Sequence, residues 1–214
     1  RYYTPSGRCI QKPYEKGNDA EYEMDIITRC YSDLLTSDPI PPTTRLPFSK
    51  EEIKKVWEHQ KEPWVDTVLI LLYSGWRISE LLNLKPEDIN LQAGTMKGGT
   101  KTKAGKDRVV PIHSKIRPLV ESRLAEGGPR LISYNGRVCS QTQYRVFWAD
   151  IMKALKMTHT PHECRHTFET QLDSAGANRK CIDLLMGHVS KDTGNRVYNH
   201  KTLDELKSTV ELIQ

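Results

Sequence analysis

From residue 49 onward the apolar positions fall at helical spacing, and the elements they predict follow one another closely. Ser49 with Glu52 reads as a capping box, and Ile53, Val56 and Trp57 then share one face of a helix. The stretch from Trp64 to Tyr73 is almost wholly apolar, which predicts a buried helix stopped by Gly75. Ile78, Leu81 and Leu82 give a short amphipathic helix closed by Pro86. The period then changes. Lys97-Gly-Gly-Thr100, a basic run from Lys101 to Lys106, and the alternating, β-branched Arg108–Ile112 predict a hairpin or three-stranded sheet around a basic loop. Helical spacing returns at about 114–125, 141–156, 160–174, 178–186, around 191–198, and 202–212. The fold class is therefore α+β, mainly α-helical, with a small antiparallel sheet or hairpin.

The first 47 residues have a different texture. Residues 1–18 are polar and irregular, whereas Met24, Ile27, Tyr31, Leu34 and Leu35 predict a helix over Asp19–Leu35. Residues 38–47, with four prolines, suit a semi-rigid linker. The expected division is 1–37, a 38–47 linker, and a main domain over 48–214. Because the chain starts at Arg1 without a methionine, further N-terminal domains are expected.

Composition narrows the classes. A charged fraction of 28% fits a globular domain, and the longest apolar run, Val68–Tyr73, is far short of the ~18 residues a membrane helix needs. The start lacks a signal-peptide pattern. The 5 cysteines are odd in number and form no C-x-x-C pair, which argues against a disulfide framework or zinc site and for a reducing, cytoplasmic home. The 32 basic against 27 acidic residues leave a net charge of +5, a mild excess that by itself points only weakly to nucleic acid. Lys54, Lys55, Arg108 and Arg145 are candidate phosphate contacts.

Three segments carry candidate chemistry. In the run from Thr160 to Phe168, Thr160 suits an N-cap, Pro161 the first helical position, and Glu163 a capping box. His162, Arg165 and His166 then share one face near a helix N-terminus, where an anion is favoured. A metal reading is weaker, because no carboxylate base accompanies the histidines and Arg165 would repel a cation. Arg77 emerges between Trp76 and Ile78, which is costly unless it is paired or bound to an anion, and Glu80 is its nearest partner. Read alone, that pair is better explained by structure than by function. Gly187 stops a helix carrying Ile182, Leu185 and Met186, leaving His188 at its end; Tyr198 follows ten residues later, where a lone tyrosine usually only packs.

Together these residues form the order R…K…H-x-x-R…G-H…Y over about 120 residues, which resembles the phage integrase or tyrosine recombinase family from about Pro47 onward. The local wording resembles it too: "SGWRISELLNL", "KTKAGKDRVVPI", "HECRHTFETQLDSAGA", "LLMGHVSKDT" and "RVYNH". It is most similar to integrases of conjugative transposons and prophages of Gram-positive bacteria. Residues 1–37 resemble the end of the family's core-binding domain.

The resemblance implies a site-specific recombinase that cuts and rejoins double-stranded DNA through a 3′-phosphotyrosyl intermediate. Arg77 and Arg165 would hold the non-bridging oxygens of the scissile phosphate, Tyr198 would attack, and His162 would act as base. His188 would donate a hydrogen bond, and Lys101 would protonate the departing 5′ oxygen. Lys103 is the runner-up for that acid, and Lys106 reads as a backbone contact. No metal or nucleotide cofactor is implied. The family works as a homo-tetramer, and the apolar stripe Leu203, Leu206, Val210, Ile213 is expected to dock on a neighbouring subunit rather than its own domain. Two rivals share parts of this pattern: a DNA-binding protein without cleavage, and a type IB topoisomerase.

Overall fold

The computed structural model describes residues 46–99, 105–188 and 201–213. The chain divides into two units between Thr44 and Arg45, and the second unit holds all of the described residues. The expected helices over Asp19–Leu35 and around 191–198, residues 38–45 of the linker, Lys101 and Tyr198 lie outside the described residues.

Eight helices, α1 (Lys50–Glu58), α2 (Val65–Ser74), α3 (Ile78–Leu81), α4 (Arg117–Ala125), α5 (Gln141–Ala154), α6 (Pro161–Ser174), α7 (Arg179–Met186) and α8 (Leu203–Val210), surround two small sheets among the described residues. The first is antiparallel, in the order β1 (Ile89–Asn90), β2 (Thr95–Gly98), β3 (Arg108–Pro111), with Met96 opposite Val110. Pro111 is tolerated because β3 is an edge strand. The second is a hairpin of β4 (Ser133–Tyr134) and β5 (Arg137–Val138). No described helix is long and apolar enough to cross a membrane.

The core forms around α2, as its all-round apolar sequence requires. Every residue from Thr67 to Ser74 is buried, and α6 lies against it. At 1.5–3 kcal/mol for each fully buried aliphatic side chain, the run Val68–Leu72 alone contributes on the order of 10 kcal/mol before ordering entropy is set against it. The polar groups around α2 find partners: Thr67 Oγ1 lies 2.8 Å from the Tyr144 hydroxyl, and Trp57 Nε1 donates to the Tyr73 hydroxyl at 3.0 Å.

The predicted ends are present. Ser49 Oγ accepts from Glu52 N–H and Glu52 from Ser49 N–H, the reciprocal box that starts α1. Gly75 ends α2 at φ 63°, and a Cβ there would stand 2.4 Å from Phe168 Cδ1. Glycine is thus required twice over, by backbone and by the closeness of α6. Gly187 ends α7 in the same left-handed conformation.

The structure departs from expectation in several places. The strand expected at Lys97–Thr100 begins at Thr95, and the helix expected at 114–125 opens with a 3₁₀ turn over Ser114–Ile116. Lys55 and Arg108, expected as phosphate contacts, are engaged internally. Lys55 Nζ donates to Leu155 O at 2.6 Å beyond the end of α5, and Arg108 is buried.

In this single chain the tail is seated on its own domain. Leu206, Val210 and Ile213 are buried, with α8 packed on β3 and α7. His113 Nε2 donates to Ile213 O at 2.9 Å, and its Nδ1 accepts from Lys115 N–H at 3.0 Å. A carbonyl can only accept and an amide N–H only donate, so His113 is the neutral Nε2–H tautomer. Burial, outweighing the Ile213 carbonyl and Glu211, holds its pKa below the ordinary value. Glu211 fixes the end by accepting from both the N–H and hydroxyl of Ser114 at 2.7 Å.

Gly75→Ala is expected to lower the unfolding free energy by about 2–5 kcal/mol, the sum of a left-handed L-residue and core overpacking. Urea denaturation of the variant measures this, and a change within experimental scatter would contradict the packing described.

Candidate phosphate-binding site

The site is built where three chain breaks meet: the Gly75 stop of α2, the Gly187 stop of α7, and the base of the β2–β3 hairpin. Each break leaves carbonyls without helical partners. Arginines fill the need.

Arg165, on α6, is 3% exposed and spends two of its nitrogens on such carbonyls. Its Nη1 donates to Gly75 O at 2.8 Å, and its Nη2 donates to Met186 O. The C-terminal ends of α2 and α7 also present their negative partial charge to this cation. Carbonyls satisfy the donors without cancelling the charge. Burial first, then the charges of Arg77 and Arg108, lower the Arg165 pKa to about 9. An arginine does not give up its proton in practice, so Arg165 carries its charge in a buried setting that opposes it.

Arg77 follows the Gly75 break, in extended conformation at the N-cap of α3. Its Nη1 donates to Glu80 Oε1 at 2.9 Å, and its backbone N–H to Glu80 Oε2 at 3.0 Å. The Glu80 side chain is wholly buried, while Arg77 keeps 19% of its side chain in solvent. The other side of Glu80 is taken by Arg108, whose Nη2 donates to Oε2 at 2.8 Å. Burial works to raise the Glu80 pKa. The hydrogen bond and charge of Arg108, then those of Arg77, outweigh it and hold the carboxyl below 4.5.

His188 completes the group. The Gly187 turn returns its N–H to Asp183 O at 2.9 Å and leaves the ring exposed, with Nε2 3.3 Å from Arg165 Nη2. A guanidinium only donates, so Nε2 accepts and the ring's proton sits on Nδ1. Burial, followed by the charge of Arg165, depresses the His188 pKa, so the ring is neutral at pH 7. Glu169 and Asp183 lie close enough to be felt, but Arg179 engages both, at 2.9 and 3.3 Å. Arg77 and Arg108 thus share the buried carboxylate of Glu80, whereas Arg165 bonds carbonyls instead.

His162 occupies the first turn of α6 and is exposed, its ring perpendicular to that of His166 at 4.8 Å between centroids. The capping box expected at this helix N-terminus is present. Glu163 accepts from Thr160 N–H at 2.8 Å and pairs with His159 Nδ1 at 2.9 Å. Of the six residues singled out in the sequence, the structure brings Arg77, Arg165 and His188 together and sets His162 one turn from Arg165. Lys101 and Tyr198 lie outside the described residues. Sequence reasoning missed the part played by Arg108. Its only sequence signal is a charge at the head of an otherwise apolar strand. Among the described residues no cluster of His, Cys, Asp or Glu could hold a metal ion.

A helical domain that gathers Arg77, Arg108 and Arg165 around one buried carboxylate is the arrangement expected of a phosphodiester-handling enzyme. The Phage integrase family matches residues 48–205, and the chain belongs to that family. The tyrosine recombinase XerA of Pyrococcus furiosus is 34% identical over 191 residues, 83% of this chain and 65% of the relative. XerC of Staphylococcus carnosus is 33% identical over 152 residues, 65% of this chain and 50% of the relative. The chain therefore spans less than two thirds of the length of these relatives. Among solved structures, XerA recombinase matches with TM-score 0.62 and 25% identity, covering 91% of this chain and 75% of that one. The Tn1549 transposon integrase in complex with transposon right end DNA matches with TM-score 0.60 and 25% identity, covering 84% and 69%. The mainly helical fold with small antiparallel sheets is that of the tyrosine recombinase catalytic domain.

Glu80→Gln tests the electrostatic frame. The folded pKa of Glu80 is below its unfolded value, so its contribution is present above about pH 4.5 and is lost as pH falls through the folded value. The variant is expected to lose about 3–5 kcal/mol at pH 7, as for breaking a buried pair, and to show a flatter acid limb in stability. An acid limb identical to that of the unsubstituted protein would contradict the pairing.

Proposed function

We propose that this protein is a site-specific DNA recombinase of the integrase type, which breaks and rejoins DNA strands through a covalent 3′-phosphotyrosyl intermediate. The observation that carries this reading is the convergence of Arg77, Arg165 and His188 at a junction where three guanidiniums, those of Arg77, Arg108 and Arg165, are set against the one carboxylate of Glu80. The family membership and the DNA complex of the Tn1549 integrase support DNA as the phosphate's source.

Arg77 and Arg165 hold the two non-bridging oxygens, for which the planar, permanently charged guanidinium is suited. Charge grows on those oxygens in the pentacoordinate transition state, so donors already fixed there lower the barrier. Tyr198 attacks phosphorus while His162 takes its phenolic proton, which a group of pKa ~10 does not release unaided at neutral pH. Lys101 gives a proton to the departing 5′ oxygen. His188 donates to the phosphate through its protonated nitrogen. The phosphotyrosine conserves the bond energy, so the free 5′ hydroxyl can reverse the step on a new strand without a metal or nucleotide.

In this reading residues 48–214 are the catalytic domain, 38–47 a linker, and 1–37 part of a core-binding region. Four subunits act together on two DNA duplexes in the bacterial cytoplasm. The seat that α8 fills on its own domain then receives a neighbour's tail, because the same apolar stripe fits either way.

A nicked suicide duplex, from which the cut strand escapes, is expected to trap a covalent protein–DNA adduct in the presence of EDTA. Tyr198→Phe should abolish the adduct, and Arg165→Ala should slow it about 10²–10³-fold, the usual loss for one fixed donor. An adduct that survives Tyr198→Phe would overturn the nucleophile. DNA binding with no adduct at all would favour a non-cleaving binder, and relaxation of supercoiled plasmid without strand exchange a topoisomerase. Deleting 202–214 is expected to abolish synaptic assembly seen by native gel, and unchanged assembly would count against exchange of the tail.

A further inference from the structure

Arg108 is the first residue of β3, yet its side chain is 4% exposed and turned into the junction where the site is built. Its Nη2 meets Glu80 at 2.8 Å, its Nε donates to Leu185 O at 3.1 Å, and its guanidinium lies 4.0 Å over the Trp76 ring. One side chain thus ties the hairpin to both the Arg77–Glu80 pair and the turn that presents His188. Burying a guanidinium here is costly, and a strand could be filled by an apolar residue without that cost. The sheet does not need it.

The glycines around it show what it does instead. Gly98 pairs with Arg108 across the hairpin, and Gly99 O accepts from Asp107 N–H at 3.3 Å. Gly99 has φ 100°, and a Cβ on it would come within 1.8 Å of Gly105 O and 2.9 Å of Arg108 Nη1. A Cβ on Gly187 would meet Gly105 Cα at 2.8 Å and Arg108 Cδ at 3.2 Å. Gly99 and Gly187 therefore close around one guanidinium, and Gly105 lies against both of them. In sequence, the residues between Gly99 and Gly105 include Lys101.

We infer that Arg108 is a positioning residue, clamping the mouth of the Lys101-bearing loop onto the arginine–histidine site so that the general acid keeps its register with the phosphate. The inference rests on the assignment of Lys101 as the acid. In the step concerned, the Tyr198 oxygen forms its bond to phosphorus as the bond from phosphorus to the 5′ oxygen breaks. That oxygen leaves with a proton from the Lys101 ammonium. A clamp acting through the acid matters only while the leaving group needs the proton.

The test uses the whole chain and two suicide duplexes, one with the natural 5′ oxygen at the scissile bond and one with sulfur there. A thiolate is a far better leaving group than an alkoxide and departs without protonation. Arg108→Lys is expected to slow adduct formation about 100-fold on the oxygen duplex, the scale of a lost general acid, but only about threefold or less on the sulfur duplex. Lys101→Ala should behave alike. Equal loss of Arg108→Lys on both duplexes overturns the inference and leaves Arg108 a structural residue. Rescue of Arg108→Lys without rescue of Lys101→Ala supports the clamp but overturns Lys101 as the acid. If neither is rescued while the unsubstituted protein cuts both duplexes, both assignments fall. Should Arg108→Lys not fold, judged by its thermal melt, Gly99→Ala displaces the loop mouth with Arg108 intact. It should show the same rescue by sulfur, and equal loss on both duplexes overturns the inference.

Discussion

The Glu80 carboxylate, wholly buried between Arg77 and Arg108, is the interaction on which the rest of the site depends. A buried carboxylate is tolerable only if its charge is matched and its oxygens are bonded, and two guanidiniums with one backbone N–H do both. It also fixes positions. Arg77 follows the Gly75 break, Arg108 begins β3, and Glu80 holds the two at one place although 31 residues separate them. Arg165 then needs no carboxylate, because the ends of α2 and α7 supply carbonyls at the right spots. Helix ends satisfy its hydrogen bonds and leave its charge for a ligand. A second acid in place of those carbonyls would have halved the junction's net positive charge.

The state of His188 follows from the same imbalance. Its ring is neutral because burial and Arg165 both oppose a second positive charge. A bound phosphate reverses the second of these, so the anion's arrival favours protonation of His188 and strengthens it as a donor. Its Nε2 accepts from Arg165 rather than donating outward. The histidine is thus set by the ligand, whereas the arginines are set by the fold.

Much of this was legible in the sequence, because much of it is local. The Ser49–Glu52 box, the Gly75 and Gly187 stops, and the buried character of α2 each depend on residues within a few positions of one another. The β4–β5 hairpin was missed. Its two-residue strands leave no room for alternation to register, although Asn135-Gly136 is the pair that such a turn favours, and both residues have positive φ. Arg108 and Lys55 read as DNA contacts because a basic residue in a basic segment looks solvated. Their true partners, Glu80 and Leu155, are 28 and 100 residues away, beyond any periodicity. The α8 stripe announced a buried face but could not say whose surface buries it.

That last ambiguity is physical as well as inferential. The α8 seat is made by β3 and α7, the two elements whose ends hold Arg108 and the Gly187–His188 turn. His113 and Ser114, which grip the end of the tail, follow β3 directly in the chain. Whatever occupies the seat therefore bears on both strand and helix behind the phosphate site, with no need for a separate relay. A tail from the same chain and a tail from a neighbour offer the same apolar side chains, so the seat alone barely distinguishes them. Occupancy of the seat thus bears on Arg108 and His188 through the strand and helix that carry them, while the Glu80 carboxylate and the helix-end carbonyls hold Arg77 and Arg165.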